Sequence, residues 1–144
     1  MSFKNKNTEK GFTLIEIMVV IFILALLAGI VAVNVIGSLD KAKRTKAQTD
    51  IGNLKTALVS YYADNGSFPT NDQGLKALVT KPETGKVRKW RQYIERLPKD
   101  PWGNDYYYQC PGLHGEYDII SFGNDEEEGG EGNNADINSW EDLD

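Results

Sequence analysis

The chain has 144 residues and a formal net charge of −5, which leaves room for one modest domain and argues against a nucleic-acid binder, whose footprint would be basic. With a lone cysteine, Cys110, no intramolecular disulfide forms, and with a lone histidine, His114, zinc has no ligand set. Charge is unevenly spread: Lys4, Lys6 and Lys10 oppose only Glu9 at the start, whereas from Gly115 onward there is no Lys or Arg and there are eleven acids, so the two ends address different compartments or partners.

From Ile17 to Val33 every residue is apolar or glycine, about 17 residues, and Phe12, Leu14, Ile15, Val35 and Ile36 extend the run to a bilayer span. A buried core helix fits poorly, because so small a domain cannot cover a helix that is apolar all round. A cleaved secretory signal shares the apolar character, but this run is long for one and carries a carboxylate, Glu16, at its upstream edge. A retained membrane helix fits best, with the basic N-terminus cytoplasmic and the rest exported. A charge within hydrocarbon costs roughly 2.5–3.5 kcal/mol, so Glu16 is either an interfacial acid or one half of a charge pair formed in an assembly.

After Ser38 the pattern turns amphipathic. Ile51, Leu54, Leu58 and Tyr61 recur at helical spacing among Lys43, Lys46, Asp50 and Lys55, which predicts a stripe packed on its own domain. Asp64-Asn65-Gly66, with Pro69 beyond it, ends the helix. A continuous helix from Phe12 to Asp64 would measure about 80 Å. Asn71 to Val79 reads as a short capped helix and Lys81 to Lys89 as a loop. Leu97 to Asn104 reads as an ordered turn-rich segment anchored by Trp102. Asp105 to Cys110 and Glu116 to Phe122 read as two strands joined through Pro111-Gly112-Leu113-His114-Gly115. The expected fold is α+β: a long N-terminal helix packed on a small antiparallel sheet. Cys110 reads as a small buried hydrophobe, and His114, in a Pro/Gly turn, as structural or exposed.

Ser121 to Asp136 is rich in acids, amides and glycines. Calcium takes roughly six to eight oxygens, which such a loop can supply, although the EF-hand order is absent. From spacing alone, a calcium site and a solvated acidic loop both stand. Trp140, just beyond, is suited to docking on the head and ordering the terminus.

Gly11-Phe12-Thr13-Leu14-Ile15-Glu16, behind a short basic leader and ahead of an apolar run, resembles the leader motif of type IV pilins and pseudopilins. The resemblance implies a prepilin peptidase that cuts between Gly11 and Phe12 and N-methylates Phe12. It implies that Glu16 neutralises the N-terminal ammonium of a neighbouring subunit. The domains are then a leader (1–11), a transmembrane and filament-core helix (12–36) and a periplasmic head (37–144). Val33 stands where many of these proteins carry proline, so the helix-breaking residue is absent, while Gly29 and Gly37 are weaker sites of bending.

Tyr61–Thr70 resembles the helix-ending stretch of the same family, and Gln73-Gly74-Leu75, Leu97-Pro98, Asp100-Pro101-Trp102-Gly103, His114-Gly115 and Ser121-Phe122-Gly123 resemble the major pseudopilins of type II secretion systems more narrowly. That resemblance implies a calcium site formed by the carbonyls of Phe122 and Glu127 and the carboxylates of Asp125 and Asp136, with Asn133 or Asn134 adding an oxygen. Glu126 stands where the family usually has glycine, and Ala135 where some members have an acid. The implied protein is a homo-oligomeric helical filament subunit of the bacterial inner membrane, in contact with lipid, and not an enzyme. Its implied partners are minor pseudopilins and an inner-membrane assembly platform, and its work is export of folded proteins across the outer membrane. The alternative is a type IV pilus subunit for adhesion, motility or DNA uptake, a class that commonly closes a C-terminal disulfide loop. A membrane-anchored hydrolase lacks a nucleophile–base set.

Overall fold

The computed structural model describes residues 11–141, and within them the side chains of all but 30–36. The expected leader, apart from Gly11, lies outside the described residues. The chain divides into two compact units after Ser38. One helix, α1 (Leu14–Asn65), enters both and runs unbroken past Val33.

In the first unit the large apolar residues of α1 from Leu14 to Leu27 are exposed, Leu14 by 83% and Ile17 by 46%. Among the described residues no helix is long and apolar enough to cross a membrane. The expected span continues into residues 30–36, whose side chains lie outside that description.

In the second unit α1 buries Ala47, Ile51, Leu54, Ala57, Leu58 and Tyr61 on one face. Their spacing of three and four residues sets them one above another. On its exposed faces Thr45, Thr49, Thr56 and Ser60 donate their hydroxyls to carbonyls four residues back, so the polar side chains are satisfied within the helix. The helix stops at Asn65 because Gly66 takes a left-handed conformation, φ 80°, and its N–H reaches the Tyr62 carbonyl at 2.7 Å.

Asn65 also fixes the loop over residues 88–93. Its Nδ2 donates to the Tyr61 carbonyl and to Tyr93 Oη, each at 3.0 Å, and its Oδ1 accepts from the N–H groups of Arg88 and Lys89. Beside it, Arg91 pairs with Asp64 at 2.7 Å and holds that carboxyl below the usual carboxylate range. The loop expected from Lys81 to Lys89 is therefore pinned to the helix end.

The helix expected over Asn71–Val79 is only partly formed. Thr70 and Gln73 exchange side-chain and backbone hydrogen bonds, a capping box, but Gly74 turns to φ 55° and interrupts the helix. A 3-10 helix, Leu75–Leu78, remains, and it places Leu75, Ala77 and Leu78 in the core.

The sheet has three antiparallel strands in the order β1 (Tyr107–Gln109), β2 (Asp118–Ser121), β3 (Ile137–Asn138). The first two lie inside the expected strands, with Tyr108 opposite Ile119, while β3, which pairs Ile137 with Ser121, lies just beyond the acidic segment where no strand is expected. Tyr106, Ile119 and Ile137 meet the helix stripe in one core, with Trp102 packed at its edge. Each such buried apolar side chain contributes about 1.5–3 kcal/mol. Between turn and sheet, Ser121 Oγ donates to Asp100 Oδ2 at 2.7 Å, and Asp100 Oδ1 caps the N–H groups of Trp102 and Asn104. Cys110 corrects the expectation: it is half-buried at the end of β1, with Sγ 3.4 Å from the Glu116 carbonyl, because the strand ends at the sheet rim.

Candidate functional site

Two regions carry the expected site residues. At the start of α1, Gly11 and Phe12 are exposed and precede the helix. Glu16 is exposed too, and it has a local role that its charge alone did not reveal. Thr13 Oγ1 faces the Glu16 N–H at 3.3 Å, while Glu16 Oε2 faces the Thr13 N–H at 3.4 Å. Thr13-Leu14-Ile15-Glu16 is a capping box for the first turn.

The second region is the loop between β2 and β3. Phe122 rests half-buried against the Tyr107 ring, 5.7 Å between centroids. The chain then doubles back on itself, with the Asn124 N–H on the Asn133 carbonyl at 2.9 Å. Gly123 permits this approach: at φ 68°, a Cβ there would stand 2.7 Å from that same carbonyl. Asp125 Oδ1 folds back on the Glu127 N–H at 3.3 Å. Glu126 has φ 59° and is the one non-glycine residue with positive φ among those described. The left-handed backbone at this position accounts for the glycine that resembling proteins place there.

On the returning side, Asp136 Oδ2 accepts from the Gly129 N–H at 2.9 Å. Arg44, on α1, donates from Nη1 to the carbonyls of Gly132 and Ala135, each at 3.1 Å, and Asn104 Nδ2 reaches the Gly123 carbonyl at 3.2 Å. These two braces had no sequence signal beyond a basic residue on a helix and an amide in a turn.

Two oxygens in this loop, Asn133 Oδ1 and Asp136 Oδ1, are buried without a hydrogen-bond partner. An unpartnered buried polar atom costs about 1–3 kcal/mol, and more when charged, so each of the two fits the role of an oxygen donor to a cation. Among the described residues no group of three or more His, Cys, Asp or Glu gathers into a metal cluster. A cation here would accordingly depend on amide and backbone oxygens, the hard donors calcium takes. Asn133 and Asp136 fit such a role directly. Asn134 ends a short 3-10 helix, Gly132–Asn134, on the same returning side, its carbonyl close enough to Gly130 to exclude a side chain there. Asp125 is exposed and sits with Glu127 at the outer turn.

Beyond the loop, the Trp140 ring stacks on His114, with centroids 3.7 Å apart and planes 10° from parallel, and His114 Nδ1 lies 3.1 Å from Asp118 Oδ2. The expected docking of Trp140 on the head is present, and a half-exposed His114 serves as its platform.

Residues 34–140 match the sequence profile of type II secretion system (T2SS) protein G. The chain belongs to the type II secretion system protein G family. Residues 6–32 match the prokaryotic N-terminal methylation motif, which covers Gly11, Phe12 and Glu16. The type II secretion system core protein G of Vibrio cholerae serotype O1 is 52% identical over 139 residues, 95% of each chain. That of Pseudomonas aeruginosa is 46% identical over 140 residues, 94% of this chain and 98% of its own. The crystal structure of the major pseudopilin from the type 2 secretion system of enterohaemorrhagic Escherichia coli superposes with a TM-score of 0.64 at 43% identity, covering 74% of this chain and 94% of that one. The protein G family thus spans the head and the whole β2–β3 loop, and the α+β architecture is that of a pseudopilin.

Proposed function

We propose that this chain is the major structural subunit of the periplasmic pseudopilus of a type II secretion system, polymerising to drive folded proteins across the outer membrane. The observation that carries this reading is the match to protein G over nearly the whole head, joined to a methylation motif over the start of the apolar helix. The exposed apolar residues of α1 support it physically, since a surface of that kind is stable only against lipid or other copies of itself.

In this reading the subunit waits in the inner membrane as a single-pass protein, N-terminus cytoplasmic and head periplasmic. A prepilin peptidase cuts between Gly11 and Phe12 and methylates Phe12. The assembly platform then extracts the subunit into the filament, which minor pseudopilins complete. Within the apolar core Glu16 meets the ammonium of a neighbour, and deleting one member of such a buried pair costs about 3–5 kcal/mol.

The β2–β3 loop takes calcium. Asn133 and Asp136 supply side-chain oxygens, Asp125 a carboxylate, Phe122 and Glu127 their carbonyls, and Asn134 a further oxygen. Calcium when bound offsets clustered negative charge and fixes a loop that owns little apolar core.

The test is expression of the full chain with its secretion machinery in cells lacking their own major pseudopilin. Sheared filaments should contain the chain, beginning at a singly methylated Phe12. An uncut N-terminus and an empty sheared fraction would overturn the assignment.

A further inference from the structure

Between Lys76 and Lys99 there are eight basic residues and two acids. Arg91 and Lys99 are paired within the head, with Asp64 and Asp105. Lys76, Lys81, Lys86, Arg88, Lys89 and Arg96 are exposed and enter no ion pair among the described residues. Between Asp125 and Glu131 there are five acids and no base, all exposed and likewise outside any ion pair.

The two patches sit at different levels of one head. The basic segment is tied to the end of α1 through Asn65, and the acidic loop is tied to α1 through Arg44. Twenty-one helical residues separate those anchors, roughly 30 Å along the axis. Lys76, Lys81 and Arg96 also line an open groove with Val79, Pro82 and Leu97, whose walls include two acids, Asp72 and Glu83.

Opposite charges at different levels of one head have a geometric consequence. A symmetric pair joined through the two acidic loops, or through the two basic segments, would set like charge against like, which is unfavourable. A head-to-tail contact sets acid on base, and its repetition builds a helical filament.

We propose that the basic groove at the end of α1 receives the β2–β3 acidic loop of a second copy of this chain. The contact uses Glu126, Glu128 and Glu131, which leaves the proposed calcium oxygens to the metal. It selects head-to-tail over symmetric association and weakens as salt rises. The inference rests on the filament reading and adds to it which two surfaces of the head meet.

The test uses the full chain assembled in membranes, in a Cys110→Ser background. With Lys89→Cys and Glu128→Cys in one chain, a short thiol cross-linker should give a ladder of multimers, and either cysteine alone should not. Triple reversal of Lys81, Lys89 and Arg96 to Glu should lower sheared-filament yield at least about fivefold, as should reversal of Glu126, Glu128 and Glu131 to Lys, with the two reversals combined restoring it. Restoration also excludes simple misfolding of the single-patch variants. Wild-type filaments with no ladder, or single-patch reversals at wild-type yield, overturn the docking while leaving the filament reading intact. A wild-type chain that forms no filaments overturns both.

Discussion

Thr13 and Glu16 cap the first turn of α1 reciprocally, 3.3 Å from the Glu16 N–H to Thr13 Oγ1 and 3.4 Å from the Thr13 N–H to Glu16 Oε2. The carboxylate therefore has a local role as well as the charge pairing proposed for the filament. Glutamine fills the same place in a capping box but carries no charge. Glu16→Gln should keep the helix start and still assemble as poorly as Glu16→Leu, with both variants inserting normally. The readout is the filament yield of each full-length variant. Wild-type yield from Glu16→Gln would assign Glu16 to the cap and remove the charge pair.

The two unpartnered oxygens of the β2–β3 loop predict a metal-dependent stability. The core residues described all lie at Ala47 or beyond, so a head fragment from Leu39 retains them. Calcium at a hundredfold over its Kd should stabilise that fragment by about 2.7 kcal/mol, read as a rise in Tm that a chelator reverses. Asp136→Ala and Asp125→Ala should abolish the rise, and Asn133→Ala should reduce it. Identical melting with calcium and with chelator would leave a solvated acidic loop.

Asn65 closes α1 and holds the next loop through four hydrogen bonds. Asn65→Ala should cost about 1–3 kcal/mol, because it strands the N–H donors of Arg88 and Lys89 and removes the amide donor to the Tyr61 carbonyl and Tyr93 Oη. Chemical denaturation of the head fragment measures this, and an unchanged midpoint would mean that water replaces the amide.

Burial raises the phenols of Tyr61, Tyr106, Tyr108 and Tyr117, and the Asp50 carboxylate adds to the effect at Tyr106, whose Oη donates to Asp50 Oδ2 at 3.1 Å. A phenol raised by folding contributes stability that is complete below its unfolded value, about pH 10, and is lost as pH climbs through the folded value. Asp64 runs the other way: lowered by Arg91, it contributes above its unfolded value and loses that contribution as pH falls through the folded one. Stability of the head should therefore fall on the alkaline side beyond about pH 10, and Tyr106→Phe should flatten that limb. A flat profile to about pH 11 in the unmodified head would contradict the burial of these phenols.

The stripe Ile51, Leu54, Leu58 and Tyr61 was legible because helical spacing and burial are the same fact seen twice, and all four are buried. Strands β1 and β2 were legible from alternation and the turn between them. The third strand was not, since Ile137 and Asn138 make two residues of strand whose pairing depends on the path of the preceding loop. Gly74 stood in plain view, yet only its backbone angle shows that it breaks the expected helix. The loop's composition left a cation site and a solvated acidic loop both open, whereas the orphaned oxygens of Asn133 and Asp136 and the Arg44 brace come from contacts across the fold, which spacing does not encode. The Trp140 docking was readable, but its partner His114 was not.

The most direct test of the central claim is secretion itself. In the organism that carries this chain, its gene is deleted and a folded exoprotein is measured in the medium and in the periplasm. The account predicts that the exoprotein stays in the periplasm, and that the wild-type chain restores export while Glu16→Leu does not. Undiminished export in the deletion strain would contradict it.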